Sequence, residues 1–566
     1  MRGTAVALMV LGSLVASCDA AETPMAHSPV GEVAPSAGTS MPSPADRPRV
    51  VTLAFAGDVH FENYLADLLD HPRGALGPIA DSLGAADLTM VNLESAITDR
   101  GVKDPKALED PSRRFDFRAG ASALAVLAHA GVDVVTVANN HGADYGRQGL
   151  ADTLRAAERG PIAVVGVGRD VRDAFTPYRV SIHGTMIAVL GADDSPLEST
   201  APTWSAGPHS PGLAAAHWPD QAALLSAVRA ADQTSDVVVV FMHWGREYDT
   251  CPTDEQQHTA QALVRAGADV IVGSHAHVQQ GAGWLGDTYV DYGLGNFSWY
   301  HDRQPDTGIL RLRVVDGRVT AGHWSPARIQ PDGPPVPLHG RAAEAAVERW
   351  RALRECAGLA DSPGGQVAGF VASVHRIGPR LQQRMASTHS ATCPVRWRDL
   401  RYLRIRYVGF DGADYTGELV VAPPYTQDVI GVFRQLFEAR FPIRSMRLAS
   451  DFNGDDDQSM SADNTSAFSC RRVAGTNRWS AHAYGMAIDI NPLENPYLVD
   501  GAVRPPAGSR FAQLDRSPGA AAPAGVITSG DVVVRAFADA GWSWGGNWSS
   551  PDYQHFVASA AQRNVS

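Results

Sequence analysis

The chain has 566 residues, of which 44% are hydrophobic and 19% are charged, and its formal net charge is −13. This composition supports packed globular cores and argues against wholesale disorder, and the length is too great for one ordinary domain. The negative charge argues against a nucleic-acid binder, which would need a basic face, so no nucleic acid is expected as a partner.

An export signal is predicted in residues 1–18. Arg2 supplies a positive charge, and the apolar run that follows it is too short to cross a membrane. That run leads into Leu14-Val15-Ala16-Ser17-Cys18, which resembles a bacterial lipobox, where lipid is attached to the cysteine. We therefore expect an exported lipoprotein anchored to the outer face of the bacterial cell membrane by lipid on Cys18 alone, with ordinary secretory cleavage as the alternative. Residues 19–48 are rich in Pro, Ala, Ser and Thr and are expected to form a flexible tether.

Residues 49–330 are predicted to form an α/β layered domain, because apolar runs alternate with helix-like stretches such as Ser122 to His129 and Asp254 to Ala266. Several of the apolar runs end in polar residues of the metal-ligand type. These residues are Asp58, His60, Glu94, Asn140, His141, His243, His275 and His277. Residues just beyond the strand ends of such sheets converge on one crevice. Oxygen and imidazole ligands in these numbers suit a two-metal hydrolase centre.

The motifs GDVH, NLE, NNHGADYG, HWGREY, GSHAHVQ and YGLGNF resemble those of the capsule-synthesis protein A (CapA) family. The resemblance implies a metallophosphatase-like fold and a link to poly-γ-glutamate capsule formation. It also implies two divalent metal ions of undetermined identity, held by Asp58, His60, Glu94, Asn140, His243, His275 and His277. His141 would act beside the reacting group as an acid or an electrostatic stabiliser. Glu94 stands where typical metallophosphatases have a bridging aspartate, and a site that binds no metal is the alternative.

Residues 331–392 are predicted to be a linker that contains a helix. Four prolines interrupt its first residues, and Arg341 to Ala357 has the pattern of one amphipathic helix. The sequence does not indicate which domain this helix packs against.

The stretch from Trp479 to Pro492, WSAHAYGMAIDINP, predicts half of a metal site in a C-terminal domain of residues 393–560. Its alternation predicts a strand with Ile488 and Ile490 in the core and Asp489 facing a cleft. A glycine before the strand allows the chain to fold back, so that His482 lies beside Asp489. A catalytic zinc site needs a third protein ligand, and His555 near the C-terminus provides one.

Ser480, His482, Gly485, Ala487 and Asp489, followed by Asp552 and His555, resemble the pattern of the VanY-type D-Ala-D-Ala carboxypeptidase family of zinc peptidases. The resemblance implies an α+β zinc DD-peptidase-like fold, with Zn²⁺ held by His482, Asp489 and His555 and with Asp552 as the base. The family places an arginine after an F-N-C motif, which here is Phe468-Ser469-Cys470, so Arg471 is the expected oxyanion-binding cation and Arg472 the alternative. The residues expected to line the substrate pocket are Asp463, Asn464, Ser466 and Ser480.

Five cysteines are present, and none of them forms a C-x-x-C pair. Without Cys18, four cysteines remain, and they allow three pairings in an oxidising compartment. We expect Cys251 to pair with Cys356 and Cys393 with Cys470, because each pair then falls within or next to one domain.

The sequence therefore predicts two hydrolase domains that act on the cell envelope. Peptidoglycan stem peptides are the expected partner of the second domain and an anionic capsule polymer that of the first. The sequence does not determine whether the cleaved bond is D-Ala-D-Ala or L-Ala-D-Glu. The alternative function is a capsule-polymer enzyme or scaffold that acts through the first domain, with a C-terminal domain that binds the wall without catalysis.

Overall fold

Two β-sheets face each other in the first part of the chain. The computed structural model describes residues 48–107, 109, 114–196, 203–217, 219–299, 304–365, 369–499 and 501–559. The first sheet contains, in spatial order, Pro335–Pro337, Arg318–Ile329, Asp306–Val315, Val50–Val59, Leu88–Leu93, Val134–Thr136 and Ala163–Val165, and Asn296–Ser298 also pairs with Val50–Val59. The second contains Ala282–Leu285, Thr288–Asp291, Val270–Ser274, Val237–Trp244, Thr185–Asp194 and Tyr178–Ile182. The predicted signal, the tether up to residue 47 and Cys18 lie outside the described residues.

Helices cover the outer faces of both sheets. Side chains such as Phe55 and Phe241 fill the core between the sheets, while separate apolar clusters join each sheet to its helices. The helices of this part are Ile79–Leu83, Ser122–His129, Gly146–Arg159, Val171–Ala174, Ala222–Asp232, Asp254–Ala266 and Gly340–Ala352. Short strand pairs connect Ala96–Ile97 with Arg118–Ala119 and Val167–Gly168 with Gly212–Leu213. The result is the α/β layered arrangement that the alternating pattern predicts.

The parallel strands of each sheet end at one edge. Val50–Val59 runs parallel to Leu88–Leu93, and Val237–Trp244 runs parallel to Val270–Ser274 with His243 opposite Ser274. Ligand-type side chains at these strand ends are therefore brought to one crevice.

The expected linker is divided between the two parts of the chain. Strand Pro335–Pro337 completes the first sheet, and Trp350 of helix Gly340–Ala352 stacks on Trp324 with 5.5 Å between ring centroids. A 3₁₀ turn, Leu353–Cys356, follows, and Cys356 is bonded to Cys251. Strand Ala372–His375, by contrast, belongs to the second part.

The second part of the chain is built from short sheets and four helices in its described residues. Its main sheet contains Ala372–His375, Arg401–Val408 and Asp414–Val421, and another contains Ala487–Asp489, His555–Ala558 and Trp542–Trp544. Ser445–Met446 pairs with Asn464–Thr465, and Tyr497–Val499 pairs with Ala502–Arg504. The helices are Pro379–Arg384, Thr426–Glu438, Asp456–Ser461 and Val532–Asp539. A disulfide joins Cys393 to Cys470. No helix within the described ranges is long and apolar enough to cross a membrane.

From Pro48 onward the two parts form one compact unit. Helix Asp254–Ala266, which starts with a capping box between Thr253 and Gln256, contacts the second part along one side. The Tyr407 hydroxyl donates to Asp254 at 2.5 Å, and the Gln257 side chain bonds both backbone groups of Thr416, at 2.8 and 3.1 Å. Because these groups are buried, their hydrogen bonds fix the register of the interface.

A buried ion cluster lies at the same interface. Arg384 makes paired contacts to Glu418, both 2.6 Å, and contacts Asp451 at 2.6 and 3.0 Å. Arg246 of the first part also approaches Asp451, at 3.5 Å. Burial alone would raise the pKa values of Glu418 and Asp451, but Arg384 holds both below their usual range.

Candidate metal centres

Three ligand atoms converge in the second part of the chain. Asp489 Oδ2 lies 3.1 Å from His482 Nε2, and Asp489 Oδ1 lies 2.8 Å from His555 Nδ1. The two imidazole nitrogens are 3.3 Å apart. Bonds of about 2.0–2.2 Å to one divalent ion require neighbouring ligand atoms roughly 3 Å apart, so this triangle fits such an ion.

Local sequence explains how the three ligands meet. Ser480 caps the 3₁₀ turn Ala481–Tyr484 by accepting a hydrogen bond from the His482 backbone N–H, at 3.3 Å. Gly485 follows with a φ of 64°, and a Cβ there would lie 2.7 Å from the Ala422 nitrogen. In the strand after it, Ile488 and Ile490 are fully buried, and Asp489 is paired directly with His555 of the antiparallel neighbour. Cross-strand partners share one face of a sheet, so the carboxylate and the imidazole point the same way.

The His482 ring is oriented by a hydrogen bond. Its Nδ1 lies 2.5 Å from the Ala467 carbonyl oxygen, which can only accept, so Nδ1 carries the proton. Nε2 is then left with its lone pair towards Asp489 and His555. Such a bond to the second ring nitrogen is the usual support of a metal-binding histidine.

Asp552 and Arg471 lie close to this triangle. Burial raises the pKa of Asp552 to about 7. The charge of Asp489 also raises this pKa, whereas the charges of His555 and Arg471 lower it. Asp552 Oδ1 is buried without a hydrogen-bond partner. Arg471 Nε is likewise buried and unpaired, while its Nη2 lies 3.1 Å from Asp456. Two unsatisfied polar atoms beside a ligand triangle fit a pocket that receives a polar substrate.

Asp456 is missed by the sequence analysis. It lies at the start of helix Asp456–Ser461, and its charge interacts with both Asp489 and His482. The only signal in the sequence is a run of three aspartates, which is equally typical of a solvated turn. The alternative cation, Arg472, lies instead over the Trp479 ring at 4.2 Å.

The expected pocket residues Asp463 and Asn464 lie in the interior instead. They are 2% and 1% exposed, and Asn464 is held by the backbone of Arg447 at 2.8 and 3.1 Å. A buried amide must find partners inside the protein, so the Asn464 side chain braces a loop, and neither side chain exposes a surface to a substrate. Ser480 is also buried and serves as the cap described above. Ser466 is half-buried and pairs through its backbone with Asp489.

One exposed aromatic side chain borders the same centre. Trp548 is 42% exposed, and its ring centroid lies 5.3 Å from that of His555. Trp544 is 4% exposed and belongs to the core. Only the first of these two rings has a free face for a ligand.

A second centre lies in the crevice of the first part, and its first ligand group contains Asp58, Glu94 and His277. Ligand atoms of these three lie within 4.8 Å of one another, and all three residues are buried. Asp58 accepts from the Asn92 amide at 2.8 Å and from the His275 backbone N–H at 3.2 Å. Asn92 belongs to the NLE motif, although the motif resemblance assigns it no role.

A second ligand group also lies near Glu94. His243 Nε2 is 2.7 Å from Asn140 Oδ1, 3.1 Å from His275 Nδ1 and 3.9 Å from Glu94 Oε1. The Ser274 hydroxyl lies 2.9 Å from Nδ1 of His243 and orients its ring. Glu94 thus lies within reach of both groups of ligands, so a metal ion in either group could use its carboxylate.

The electrostatics of this crevice fit cation binding. Both carboxylate oxygens of Glu94 are buried without a hydrogen-bond partner. Burial and then Asp58 raise the pKa of Glu94 well above its usual range. Burial alone would lower the pKa of His277, but Glu94 and Asp58 raise it to about 10. A bare buried carboxylate is costly unless a cation or proton compensates it.

His60 and His141 border the same crevice. Both rings stack on Phe117, with centroids 4.9 and 4.2 Å away. His141 Nε2 lies 3.8 Å from Glu94, and its Nδ1 lies 2.6 Å from Asp144. Lys106, whose side chain is fully buried, lies 2.9 Å from Asp144. Asp144, which belongs to the NNHGADYG motif, and Lys106, which belongs to no motif, were not expected at the site, and they hold His141 in place.

Comparisons with known proteins agree with this division of the chain. Residues 52–300 match the family model described as bacterial capsule synthesis protein PGA_cap, and residues 474–558 match the model described as D-alanyl-D-alanine carboxypeptidase. The first match contains all seven expected ligands of the N-terminal centre. The second contains His482, Asp489, Asp552 and His555. The two family resemblances are therefore confirmed.

Two relatives and two solved structures illustrate the similarity. The chain is 29% identical over 285 residues to the PGA biosynthesis protein CapA of Bacillus subtilis (strain 168), which covers 47% of this chain and 72% of the relative. It is 27% identical over 296 residues to the capsule biosynthesis protein CapA of Bacillus anthracis, and this match covers 51% of this chain and 69% of the relative. A hypothetical protein from Thermus thermophilus has a TM-score of 0.31 at 20% identity and covers 49% of this chain and 98% of that one. The 5'-nucleotidase from Candida albicans has a TM-score of 0.29 at 11% identity, covering 53% and 56%.

Proposed function

We propose that this protein is an exported cell-envelope enzyme whose C-terminal part is a zinc-dependent hydrolase of peptidoglycan stem peptides. The observation that carries the proposal is the triangle of His482, Asp489 and His555, with Asp552 and Arg471 beside it. Two histidines and one aspartate form a three-ligand set that leaves a position open, as in catalytic zinc sites. The family match supports the peptidase class.

In this proposal each residue has one task. Zn²⁺ held by the three ligands would supply Lewis acidity to the carbonyl group and to water. Asp552 accepts the proton of the attacking water and returns it to the leaving amine. Arg471 donates to the carbonyl oxygen on which negative charge develops. Trp548 offers its free face to the apolar part of the stem peptide.

The experiment that tests this function is mass spectrometry of purified muropeptides after incubation with the zinc-loaded full chain. Loss of a terminal D-alanine identifies a D-Ala-D-Ala carboxypeptidase, and cleavage after the first residue identifies an L-Ala-D-Glu endopeptidase. Unchanged muropeptides with stoichiometric zinc would leave the alternative, in which the C-terminal part binds the wall without cutting it.

For the N-terminal part we propose a two-metal hydrolase that acts on an anionic capsule polymer such as poly-γ-glutamate. The nearness of the unpartnered Glu94 carboxylate to both ligand groups supports two ions. The names of the CapA relatives support the polymer. His141 stands beside this centre as the acid or electrostatic stabiliser.

Replacing both His275 and His277 by alanine is expected to remove metal from this centre without unfolding the chain. One ligand disappears from each group, so neither ion keeps its full ligand set. Elemental analysis of the wild type and the double variant after purification with added manganese or zinc measures the effect, with circular dichroism as the check on folding. Because the C-terminal centre keeps its own ion, the expected result is a drop to one metal per chain. A wild-type chain with no metal beyond that one ion would refute the prediction.

Membrane attachment through Cys18 is a further part of the proposal, supported by the lipobox-like sequence. The variant Cys18→Ala is expected to move from the membrane fraction to the soluble fraction, because one lipidated residue supplies the whole anchor. Fractionation with an antibody against the chain measures this. A variant that still sediments with membranes contradicts it.

A further inference from the structure

A short loop connects the N-terminal centre with the second part of the chain. It spans residues 245–249 and begins two residues after the ligand His243, where strand Val237–Trp244 ends. The Tyr248 backbone N–H donates to the Ala276 carbonyl at 2.7 Å, between the ligands His275 and His277. Tyr248 has a φ of 62°, a strained value for a residue with a side chain. Because such a backbone conformation persists only where the surrounding structure holds it, the position of Tyr248 is defined by its neighbours.

The Tyr248 ring connects a ligand to a cation. One end of this contact is His277, whose ring centroid lies 6.0 Å from that of Tyr248. The other is Arg380, whose guanidinium carbon lies 5.0 Å from the centre of the Tyr248 ring. Arg380 belongs to the second part of the chain, and it is thus separated from a metal ligand of the first part by a single aromatic ring.

The position of Arg380 is set by the buried ion cluster. Arg380 and Arg384 are four residues apart in helix Pro379–Arg384, so they share one helix face. Arg384 is locked between Glu418 and Asp451, as described above. This anchoring holds the helix against the loop and presents Arg380 to Tyr248.

Arg380 is exposed, and it has no acidic partner within 4.0 Å among the described residues. Its charge is therefore available to a ligand. Two divalent ions would exceed the summed charge of Asp58, Glu94 and the nearby Glu247, and an exposed guanidinium beside such a centre extends a positive field outward. A planar guanidinium suits carboxylate or phosphate groups in particular.

We propose that Arg380 is a specificity-determining residue of the N-terminal centre and binds an anionic group of a polymeric substrate next to the group held at the metals. The inference rests on the proposed function of that centre. The ligand class is a chain of regularly spaced carboxylates or phosphodiesters. The peptidase part of the protein thereby completes the binding site of the other part.

The experiment measures equilibrium binding to the metal-loaded full chain by calorimetry. The probes are inorganic phosphate, an oligomer of γ-linked glutamate and an oligomer of glycerol phosphate. Arg380→Ala is expected to weaken binding of at least one oligomer by about 10-fold, because a charge-assisted contact is lost. Phosphate binding is expected to stay unchanged, because phosphate occupies only the metals. Arg380→Lys should keep part of the oligomer affinity. The salt dependence of oligomer binding should be smaller for Arg380→Ala than for the wild type.

Arg434→Ala is the matched control. Its guanidinium also lies over an aromatic ring, 4.8 Å from Phe370, but in another place on the second part. It should bind every probe like the wild type. The oligomer that binds less tightly to Arg380→Ala than to the wild type shows whether the ligand carries carboxylates or phosphodiesters.

Three results would overturn the inference. If Arg380→Ala binds the oligomers with wild-type affinity, the role of Arg380 is refuted, whereas the proposed function of the metal centre is not. A parallel loss of phosphate binding and melting temperature in that variant would assign Arg380 a structural role only. A metal-loaded wild type that binds none of the three probes would also reject the proposed function of the centre itself.

Discussion

Asp552→Asn is expected to keep zinc and the fold but to lower muropeptide cleavage by about 10²–10⁴-fold, the usual contribution of a general base or acid. All three ligands remain in this variant, and asparagine has nearly the same shape as aspartate. The amide, however, cannot accept a proton from water. The buried and unpaired Oδ1 of Asp552 supports this task, because no group of the protein in the described residues uses it. Zinc titration and cleavage assays on one sample measure both quantities.

The alternative is that Asp552 only orients His555, three residues later. Zinc affinity would then fall by roughly 10–100-fold and excess zinc would restore activity. His482→Ala is the comparison variant, because loss of a ligand should remove zinc and activity together. Asp539→Asn, at an exposed position of the same part, should change neither. Full activity of Asp552→Asn would reject the assignment.

Arg384→Met is expected to lower the free energy of unfolding by about 3–5 kcal/mol, because removing one partner leaves uncompensated buried charges. The side chains of Arg384, Glu418 and Asp451 are only 13%, 6% and 8% exposed. Both carboxylates would lose the cation that lowers their pKa values most, and Arg246 and Arg447, at 3.5 and 3.8 Å from Asp451, would compensate only part of the charge. Urea denaturation followed by tryptophan fluorescence measures the change. Arg434→Met, which removes an exposed arginine from the same part of the chain, should cost far less.

The effect of Arg384 depends on pH in a defined direction. The pKa values of Glu418 and Asp451 are depressed in the folded protein. The stability they contribute is therefore present above their unfolded pKa values, near about 4, and is lost as pH falls towards the folded values. The difference between wild type and Arg384→Met should shrink over that range. Adding Glu418→Gln to the variant should recover part of the loss at pH 7, since a buried amide costs less than a buried carboxylate. A difference below about 1 kcal/mol at pH 7 would contradict the prediction.

Several features follow from the sequence alone. The apolar runs with polar ends predict the layered α/β part, and helix Asp254–Ala266 has the expected bounds because its cap residues and its glycine stop are local signals. The alternation around Asp489 predicts its orientation, with Ile488 and Ile490 in the core. Periodicity of two specifies on which face of a strand each side chain lies.

Other features were decided only by the tertiary structure. The antiparallel pairing of Asp489 with His555 creates the ligand triangle, and no local pattern encodes which distant strand becomes the neighbour. Asn464 and Asp463 have the polarity of pocket residues, yet non-local packing buries them, since polarity alone does not distinguish a solvated group from a buried one.

The interface between the two parts was likewise decided only by the tertiary structure. Arg380 and Tyr248 are far apart in the chain and belong to no shared motif. Their contact arises because the buried cluster of Arg384 holds one helix against one loop. The sequence by itself determined which residues can bind metal and which elements carry them, because these properties depend on residue type and local period. The tertiary structure alone decided how the two parts meet, because that depends on complementary surfaces and charges that come together only after both parts have folded.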